Sequence, residues 1–270
     1  MSTKNKAILL LVSLIVACSL FFSFHPAKKY RSKPNYSFKT GERLEYRLHY
    51  GMVNAGEAIL EVDPQYYAVN DRVCYKINVL GRSTGSFEFF MKIRDQFISY
   101  VDTGALVPQK FCRSIREGKY KLDETVYFDQ LKSLSVTKRN SDPETVSAVP
   151  QNVQDLVSGY YYLRTINFEQ QRIGDTTNLA AFFEGKNYDF KIKFLGKDII
   201  DSKFGKIHAY KLSPIMPENE MFKGGNSIGF WISADKNRVP LKVEAVMFVG
   251  SVDLDLKAYS GLKWPLAIVN

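Results

Sequence analysis

No candidate nucleophile in this chain of 270 residues stands at a catalytic spacing. A catalytic thiol needs a neighbouring base. Beyond residue 40 the chain offers thiols at Cys74 and Cys112 and imidazoles at His49 and His208, but these four residues fall on separate predicted strands. A Gly-x-Ser-x-Gly turn, which would present an activated serine, does not occur in the sequence. The sequence therefore gives no support to nucleophilic catalysis.

Paired carboxylates are the next candidates, because an acid and a base can be built from two of them. Asp253 and Asp255 alternate with apolar residues and are predicted to share the solvated face of a strand, while Asp123 and Glu124 are consecutive. The pair at 224–225, Gly-Gly, lacks the lysine and the following helix of a phosphate loop. We expect no cofactor, and an envelope hydrolase is the least favoured class of function.

Two charged residues, Asp155 and Arg164, interrupt an otherwise apolar predicted helix. One interpretation is that a carboxylate near the helix N-terminus and a cation near its C-terminus complement the helix dipole. The other is that they contact a ligand. We favour the first, since nine residues of helix place the two groups about 13 Å apart along the axis.

The cysteines also bear on redox chemistry. An oxidising compartment would permit a disulfide between Cys74 and Cys112, and the alternative is two free thiols. Both remain open from the sequence. A metal site is not expected, because the remaining soft ligands, His25, His49 and His208, stand at no metal-site spacing.

The N-terminus predicts export. Lys4 and Lys6 precede an unbroken apolar run over residues 7–24, so residues 1–24 are a signal peptide or an uncleaved membrane anchor. Cys18 ends a lipobox-like tetrapeptide, which makes lipidation an alternative, although the apolar run continues beyond it. Residues 25–37 are basic and proline-punctuated and are predicted to be a tether. This N-terminal segment is the predicted contact with the membrane.

The net charge of +9 is concentrated near the N-terminus. Six cations and no acidic residue lie in residues 1–33, and without them the chain keeps 31 basic and 28 acidic residues. Nucleic-acid binding needs a basic footprint on the folded domain itself. We therefore expect no nucleic-acid partner.

Alternation of apolar and polar residues dominates the rest of the chain. Residues 41–62 predict an antiparallel hairpin, and the chain as a whole shows about twelve strand candidates at short spacing without βαβ alternation. One helix is predicted from an N-cap at Asn152 to about Ile166. The fold class is therefore all-β and mostly antiparallel, as a strongly curved large sheet or open barrel with one helix packed on it. We predict a single domain over residues 38–262 and a C-terminal tail over 263–270 without a clear partner.

The predicted strands and helix supply more aromatic surface than a small β core needs. We expect the helix to cover a concave apolar site that takes a lipid or the acyl chain of a lipoprotein. The alternative is that the same residues only fill the core, in a scaffolding protein that binds another protein or a polysaccharide. The tentative lining residues are Tyr46, Leu48, Phe87, Phe89, Leu156, Tyr160, Tyr188, Phe190 and Trp231.

Several short motifs resemble a bacterial exported family, the domain of unknown function 3108, over about residues 38–258. They are Gly41-Glu42, Tyr46, Tyr50-Gly51, Ala55-Gly56, Thr84-Gly85, the segment 102–108, Phe128-Asp129, Asp155 with the run 160–164, the run 231–233, Asp235 and Pro240. The resemblance implies an exported β-rich protein and no catalytic residue. A hairpin over residues 230–241 is also similar to one in periplasmic lipoprotein carriers, whose curved sheet holds acyl chains; this is an analogy of fold alone.

If the chain is exported, a phosphatase fused to its C-terminus will be active, because that enzyme folds only outside the cytoplasm. A cytoplasmic, inactive fusion would contradict export.

We further expect Cys18→Ser to leave the protein in the membrane fraction, since the apolar run is long enough to hold it there without a lipid. Release of the variant into the soluble fraction would favour lipidation instead.

Overall fold

The computed structural model describes residues 29–215, 228–246 and 251–269. Within these ranges fifteen strands form one large antiparallel sheet whose two edges do not pair, and two short helices complete the fold. This confirms the predicted fold class. The strands are β1 (Arg43–Tyr50), β2 (Val53–Val69), β3 (Arg72–Ser83), β4 (Arg94–Asp102), β5 (Pro108–Glu117), β6 (Tyr120–Asp129), β7 (Leu134–Arg139), β8 (Thr145–Ala148), β9 (Thr176–Phe183), β10 (Lys186–Ser202), β11 (Gly205–Pro214), β12 (Ile228–Ser233), β13 (Pro240–Val246), β14 (Ser251–Ser260) and β15 (Ile268–Val269); the helices are α1 (Phe87–Phe90) and α2 (Leu156–Leu163).

The sheet consists of two meanders that meet at one long-range pairing. Its order is β8-β7-β6-β5-β4-β3-β2-β1-β14-β13-β12-β11-β10-β9, and β15 adds to β11. Each meander joins sequential strands, whereas β1 pairs with β14 from the far end of the chain. The helix α2 lies in the connection between the two edge strands, β8 and β9.

Bulges in the two longest strands help to curve this sheet. Strands β2 and β10 each have 17 residues, and the pairing register shifts between Val62 and Tyr66 and between Phe194 and Gly196. A bulge bends its strand and increases the local twist. Gly196 has a φ of 118°, which a residue with a Cβ rarely adopts. A sheet of this many strands has to curl, because flat open sheets of more than about ten strands are unusual.

The hairpin predicted over residues 41–62 is confirmed as β1 and β2. Tyr46 lies opposite Ala58, and Arg43 Nη1 lies 2.8 Å from Glu61 Oε2 on the other face. Gly56 is required on steric grounds, since a Cβ there would lie 2.6 Å from the backbone oxygen of Arg82.

Both ends of the described chain pack on the fold, in contrast to the predicted tether and unpaired tail. Arg31 Nε donates to the carbonyl of Ala105 at 2.7 Å, so the described part of the predicted tether, residues 29–37, contacts the fold. In the tail, Trp264 Nε1 donates to the carbonyl of Tyr36 at 2.8 Å, and β15 pairs with β11. Basic, proline-punctuated sequence suggested the tether, and the tail showed no clear partner in the pattern, but backbone carbonyls can satisfy a guanidinium or an indole N–H.

The alternation of Phe87, Phe89, Met91 and Ile93 predicts a strand with these residues on one face, and this prediction is wrong. The ladder of β3 ends at Ser83, and residues 87–90 form the one-turn helix α1 on the way to β4. Phe89 is 93% exposed, so this segment is not part of the core. Local alternation of Phe and Glu suggested a strand, but at the end of the sheet the chain has no neighbour to pair with.

The predicted helix exists but starts later and ends earlier. Asn152 has a φ of 59° and is not its cap. Asp155 caps α2 instead, accepting hydrogen bonds from the backbone N–H groups of Val157 and Ser158 at 2.8 and 2.7 Å. The carboxylate near the helix N-terminus therefore has the role that was favoured for it.

Neither helix within the described ranges has the length and apolarity to span a bilayer. Residues 1–24, with Cys18, lie outside those ranges.

A buried ion pair holds the C-terminal end of α2. The Arg164 guanidinium forms two hydrogen bonds to the carboxylate of Glu42, of 2.5 and 2.8 Å, and both side chains are almost fully buried. Two further bonds, from Nε and Nη2 of Arg164, reach the carbonyl of Asn237 at 3.2 and 3.0 Å. Burial lowers the pKa of Arg164, but attraction and hydrogen bonds from Glu42 outweigh it, and the pKa is raised. The cation is therefore paired with the start of β1 rather than with the helix carbonyls.

We expect Glu42→Gln to reduce the free energy of unfolding by about 3–5 kcal/mol, because it leaves the Arg164 charge buried without a counter-charge. The neighbouring pair of Arg43 and Glu61, each 38% exposed, provides a matched control. There, Glu61→Gln should cost less than about 1 kcal/mol. Chemical unfolding of both variants measures the difference. Equal losses at the two positions would contradict a structural role for the buried pair.

Candidate functional site

The helix α2 lies against one face of the curved sheet, with its N-terminal cap tied to β4. Ser99 Oγ donates to Asp155 Oδ2 at 2.6 Å. Val157 and Tyr161 are buried in the core, whereas Leu156 is 41% exposed and Tyr160 is half-buried. The helix is therefore packed by one side only, and its other side leaves space above the sheet.

Two apolar grooves flank Leu156 and Tyr160. The first, groove A, has a volume of about 350 Å³ and lies between α2 and strands β1–β4, β13 and β14. The second, groove B, has about 280 Å³ and lies between α2 and strands β9–β13. Groove A is lined by Tyr46, Ala58, Leu60, Val79, Phe97, Leu156, Val157, Tyr160, Pro240, Val243 and Leu254. Groove B is lined by Asp155, Leu156, Gly159, Tyr160, Leu163, Leu179, Ala181, Phe190, Ile192, Pro214, Phe230, Pro240 and Val243.

The hydroxyl groups that border groove A bond to protein atoms. Tyr46 Oη donates to the carbonyl of Pro240 at 3.0 Å. The Tyr160 hydroxyl lies 3.4 Å from the Tyr46 hydroxyl, and it must be the donor because the Tyr46 proton is already used. Burial raises the pKa of both tyrosines, so both remain neutral. A guest in groove A would thus meet carbon atoms and hydroxyls that already have partners.

Asp155 is the one residue with a carboxyl group among those that line groove B. Burial raises its pKa to about 6, and hydrogen bonds from Ser158, Ser99 and Val157 oppose part of that rise. These bonds leave its carboxyl group engaged with the helix cap and β4. Its arrangement indicates a structural anchor for α2 that titrates near neutral pH.

Four of the predicted lining residues border the grooves. Tyr46 lines groove A, Phe190 lines groove B, and Leu156 and Tyr160 line both. Leu48 lies two residues beyond Tyr46 on the same face of β1 and is half-buried, outside the lining of either groove. Tyr46 belongs to the predicted hairpin and Leu156 and Tyr160 to the predicted helix, whereas Phe190 lies on β10.

The other four predicted residues lie elsewhere. Phe87 and Phe89 belong to α1, and Tyr188 is 39% exposed beside Phe190, with ring centroids 5.7 Å apart. Trp231 donates from Nε1 to Asp198 Oδ2 at 2.8 Å. Side chains alternate along a strand, so Trp231 points away from the face that its neighbour in groove B occupies.

Most of the lining was missed because it comes from residues that look like ordinary core. Phe230, adjacent to the predicted Trp231, lines groove B, and Ala58 and Leu60 line groove A. For Ala58 and Leu60 a signal existed, since the hairpin register places Ala58 opposite Tyr46. The contributions of β13 and β14 had no local signal, because those strands join β1 only through long-range pairing.

The residues considered for catalysis are dispersed. His49 lies opposite Asp253 and His208 opposite Ile199, so neither imidazole faces a cysteine across a strand pair. Arg116 Nη2 lies 2.8 Å from Asp123 Oδ2. Across the described ranges, no three His, Cys, Asp or Glu side chains are grouped in a way that could hold a metal ion.

Both described cysteines are free thiols, which decides between the two alternatives that the sequence left open. Cys74 Sγ donates to the carbonyl of Arg72 at 3.5 Å, and burial raises the pKa of this thiol to about 12. Cys112 accepts a hydrogen bond from Thr125 Oγ1 at 3.6 Å. Cys74 is therefore unreactive at neutral pH.

The fold and the grooves place this chain among proteins built on one large, curved and unclosed antiparallel sheet. The chain belongs to the family described as protein of unknown function (DUF3108), whose model matches residues 45–257. This confirms the resemblance seen in the sequence. No curated protein sequence matches the chain.

One solved structure shares the fold at low sequence identity, and a second is less similar. A β-barrel-like protein of the domain of unknown function DUF1849 from Brucella abortus is 9% identical with a TM-score of 0.52, and the match covers 83% of this chain and 98% of that one. A proposed exported protein with a YmcC-like fold from Bacteroides fragilis is 10% identical with a TM-score of 0.37, over 86% of this chain and 100% of that one. The first likeness concerns the fold only, and no conclusion rests on the second.

The raised pKa of Asp155 makes its contribution to stability depend on pH. The neutral form is favoured in the folded chain, so the contribution is complete below the ordinary pKa and is lost as the pH rises through about 6. Between pH 4 and pH 7 the wild-type chain should lose about 3 kcal/mol relative to Asp155→Asn, which does not titrate. Urea unfolding of both proteins at four pH values measures this gap. A gap that stays constant with pH would contradict the raised pKa.

Proposed function

We propose that this chain is an exported, noncatalytic cell-envelope protein that binds a lipid, or the acyl chain of a lipoprotein, in the grooves beside α2. One observation supports this most directly. Grooves A and B share Leu156, Tyr160, Pro240 and Val243, so an apolar guest could contact both sides of the same helix turn. A filled core would not leave this space above a helix.

The chemistry of the lining favours an aliphatic guest. Apart from Asp155 the lining is aliphatic, aromatic or prolyl, and the two tyrosine hydroxyls are already hydrogen-bonded. A sugar or nucleotide would lose its hydration without gaining partners there. The volume of about 350 Å³ for groove A lies within the usual range of ligand sites. Transfer of methylene groups from water would supply roughly 0.8 kcal/mol each.

The cell-envelope location rests on the N-terminal sequence. A basic pair followed by the apolar run over residues 7–24 is typical of an export signal or a membrane anchor. A protein held in this way at a membrane would meet lipids and lipoproteins as its neighbours. The alternative function is a scaffold that binds another envelope protein or a polysaccharide.

The direct test is binding of a fluorescent fatty acid to residues 29–270. Leu156→Asn should weaken binding about tenfold or more, because it removes an apolar contact common to both grooves. Leu156 is 41% exposed, so the variant should still fold. Ile199→Asn is a matched control, since Ile199 is 51% exposed and lines neither groove.

Tyr160→Ala separates a lining role from a core role. A core residue of this size would cost about 3 kcal/mol or more of stability whether or not lipid is present. A lining residue should cost little stability and weaken binding of the probe. If the wild-type protein binds no probe, and native mass spectrometry of protein taken from its own envelope finds no lipid, the scaffold alternative replaces the proposal.

A further inference from the structure

One end of the sheet exposes large apolar side chains in two separate segments. Met52, in the turn between β1 and β2, is 101% exposed, and Phe89 and Phe90 of α1 are 93% and 87% exposed. Such exposure is unusual for side chains of this size. We call this surface the apolar end; it consists of Tyr50, Met52, Val53, Phe89, Phe90 and Met91, all at least two-fifths exposed.

The two segments lie side by side. The backbone N–H of Thr84, which follows β3, donates to the carbonyl of Ala55 at 3.1 Å. Gly85, two residues before α1, lies next to Asn54, because a Cβ at Gly85 would be 3.9 Å from the Asn54 carbonyl. The turn that holds Met52 and the helix α1 are therefore neighbours at one end of strands β1–β4.

The apolar end is continuous with the grooves. Residues two apart on a strand share a face. On β1 this face runs from Tyr46, which is 2% exposed, through Leu48 to Tyr50, which is 40% exposed. Tyr50 pairs with Val252 of β14, and the row continues across the sheet through Ala245 of β13 and Ile228 of β12. All three of these residues are apolar and half-buried. An apolar track thus leads from the lining of grooves A and B to the apolar end.

Two lysines and one exposed carboxylate, that of Glu117 opposite Ile93, flank this surface. Lys92 follows Met91 directly and is exposed, and the exposed Lys119 is brought beside it by a 2.9 Å hydrogen bond from the Gly118 N–H to the Lys92 carbonyl. The carboxylate of Glu88 within α1 is paired with Arg94. Aromatic and methionine side chains with lysines at their margin are typical of surfaces that enter the interface of an anionic bilayer.

The chain enters the domain at the opposite end. The Tyr30 ring lies over the Arg72 guanidinium at 4.4 Å, and Arg72 is the first residue of β3, whereas α1 follows the last. The 12 residues of β3 separate these ends by roughly 36 Å. Residues 29–37 are packed on the fold, so only a few residues join the apolar run over 7–24 to the domain. A membrane that holds that run would therefore lie nearest the end of the sheet at which β3 begins, away from the apolar end.

We propose that the apolar end docks on the surface of a second phospholipid bilayer, facing away from the membrane that residues 7–24 occupy. The inference rests on the proposed lipid-binding function, because the apolar track gives docking a purpose: an acyl chain could pass between that bilayer and the grooves without crossing water. Lipid fits better than a protein partner, since lysines border the surface and the apolar track connects it to the grooves.

The test is bridging of vesicles by the full chain. The protein is reconstituted into vesicles through residues 7–24, and protein-free vesicles of phosphatidylethanolamine and phosphatidylglycerol are added. Energy transfer between dyes in the two populations reports docking. We expect bridging by the wild type and a loss of about tenfold or more in Phe89→Glu/Phe90→Glu, since two exposed apolar tips are removed from the contact.

The control variant is Tyr66→Glu/Val73→Glu. Both residues lie near the other end of the sheet, and they are 58% and 57% exposed. This variant should bridge as the wild type does. Failure of the wild type to bridge, or equal bridging by both double variants, would overturn the proposal. Binding of the fluorescent fatty acid is measured in parallel and should be unchanged in Phe89→Glu/Phe90→Glu. Bridging without any probe binding would reject the lipid-binding grooves and leave the docking surface intact.

Discussion

The buried pair between Arg164 and Glu42 is the constraint on which the rest of the site depends. Two charges this deeply buried are tolerated only with close geometry and full hydrogen bonding, and here the carboxylate and the Asn237 carbonyl provide both. The pair joins the end of α2 to the start of β1 and to the turn before β13. With Asp155 capping the other end against Ser99, the helix is held at both termini over the curved sheet.

Holding the helix by its ends has a consequence for packing. Val157 and Tyr161 are buried on one side, and Leu156 and Tyr160 are left on the other, between two grooves. A curved sheet that does not close has to be filled by side chains, plugged by a helix or left open to a guest. Near Arg164 the sheet is filled by side chains and plugged by α2. Further along the strands, towards the apolar end, space is left.

Much of the fold could be predicted from local pattern. The hairpin β1–β2, the all-β class and the presence of α2 followed from periodicity, and the family resemblance followed from short motifs. The errors share one physical cause. Phe87 and Phe89 alternate as a strand would, but the sheet ends before them, and residues 29–37 are basic as a tether would be, but backbone carbonyls accept their hydrogen bonds. In each case the deciding partner is distant in sequence.

The sequence by itself determined which residues alternate on a strand, and hence that Tyr46 and Ala58 share a face and that Trp231 and Phe230 do not, because a period of two is a local property of extended backbone. It also determined the apolar N-terminal run and the absence of a catalytic motif. Only the tertiary structure decided which face is enclosed. That depended on the pairing of β1 with β14, on bulges that shift register, and on a counter-charge for Arg164 that lies 122 residues away. Long-range contacts of this kind leave no periodic trace in the sequence, because each is set by the packing of the whole sheet.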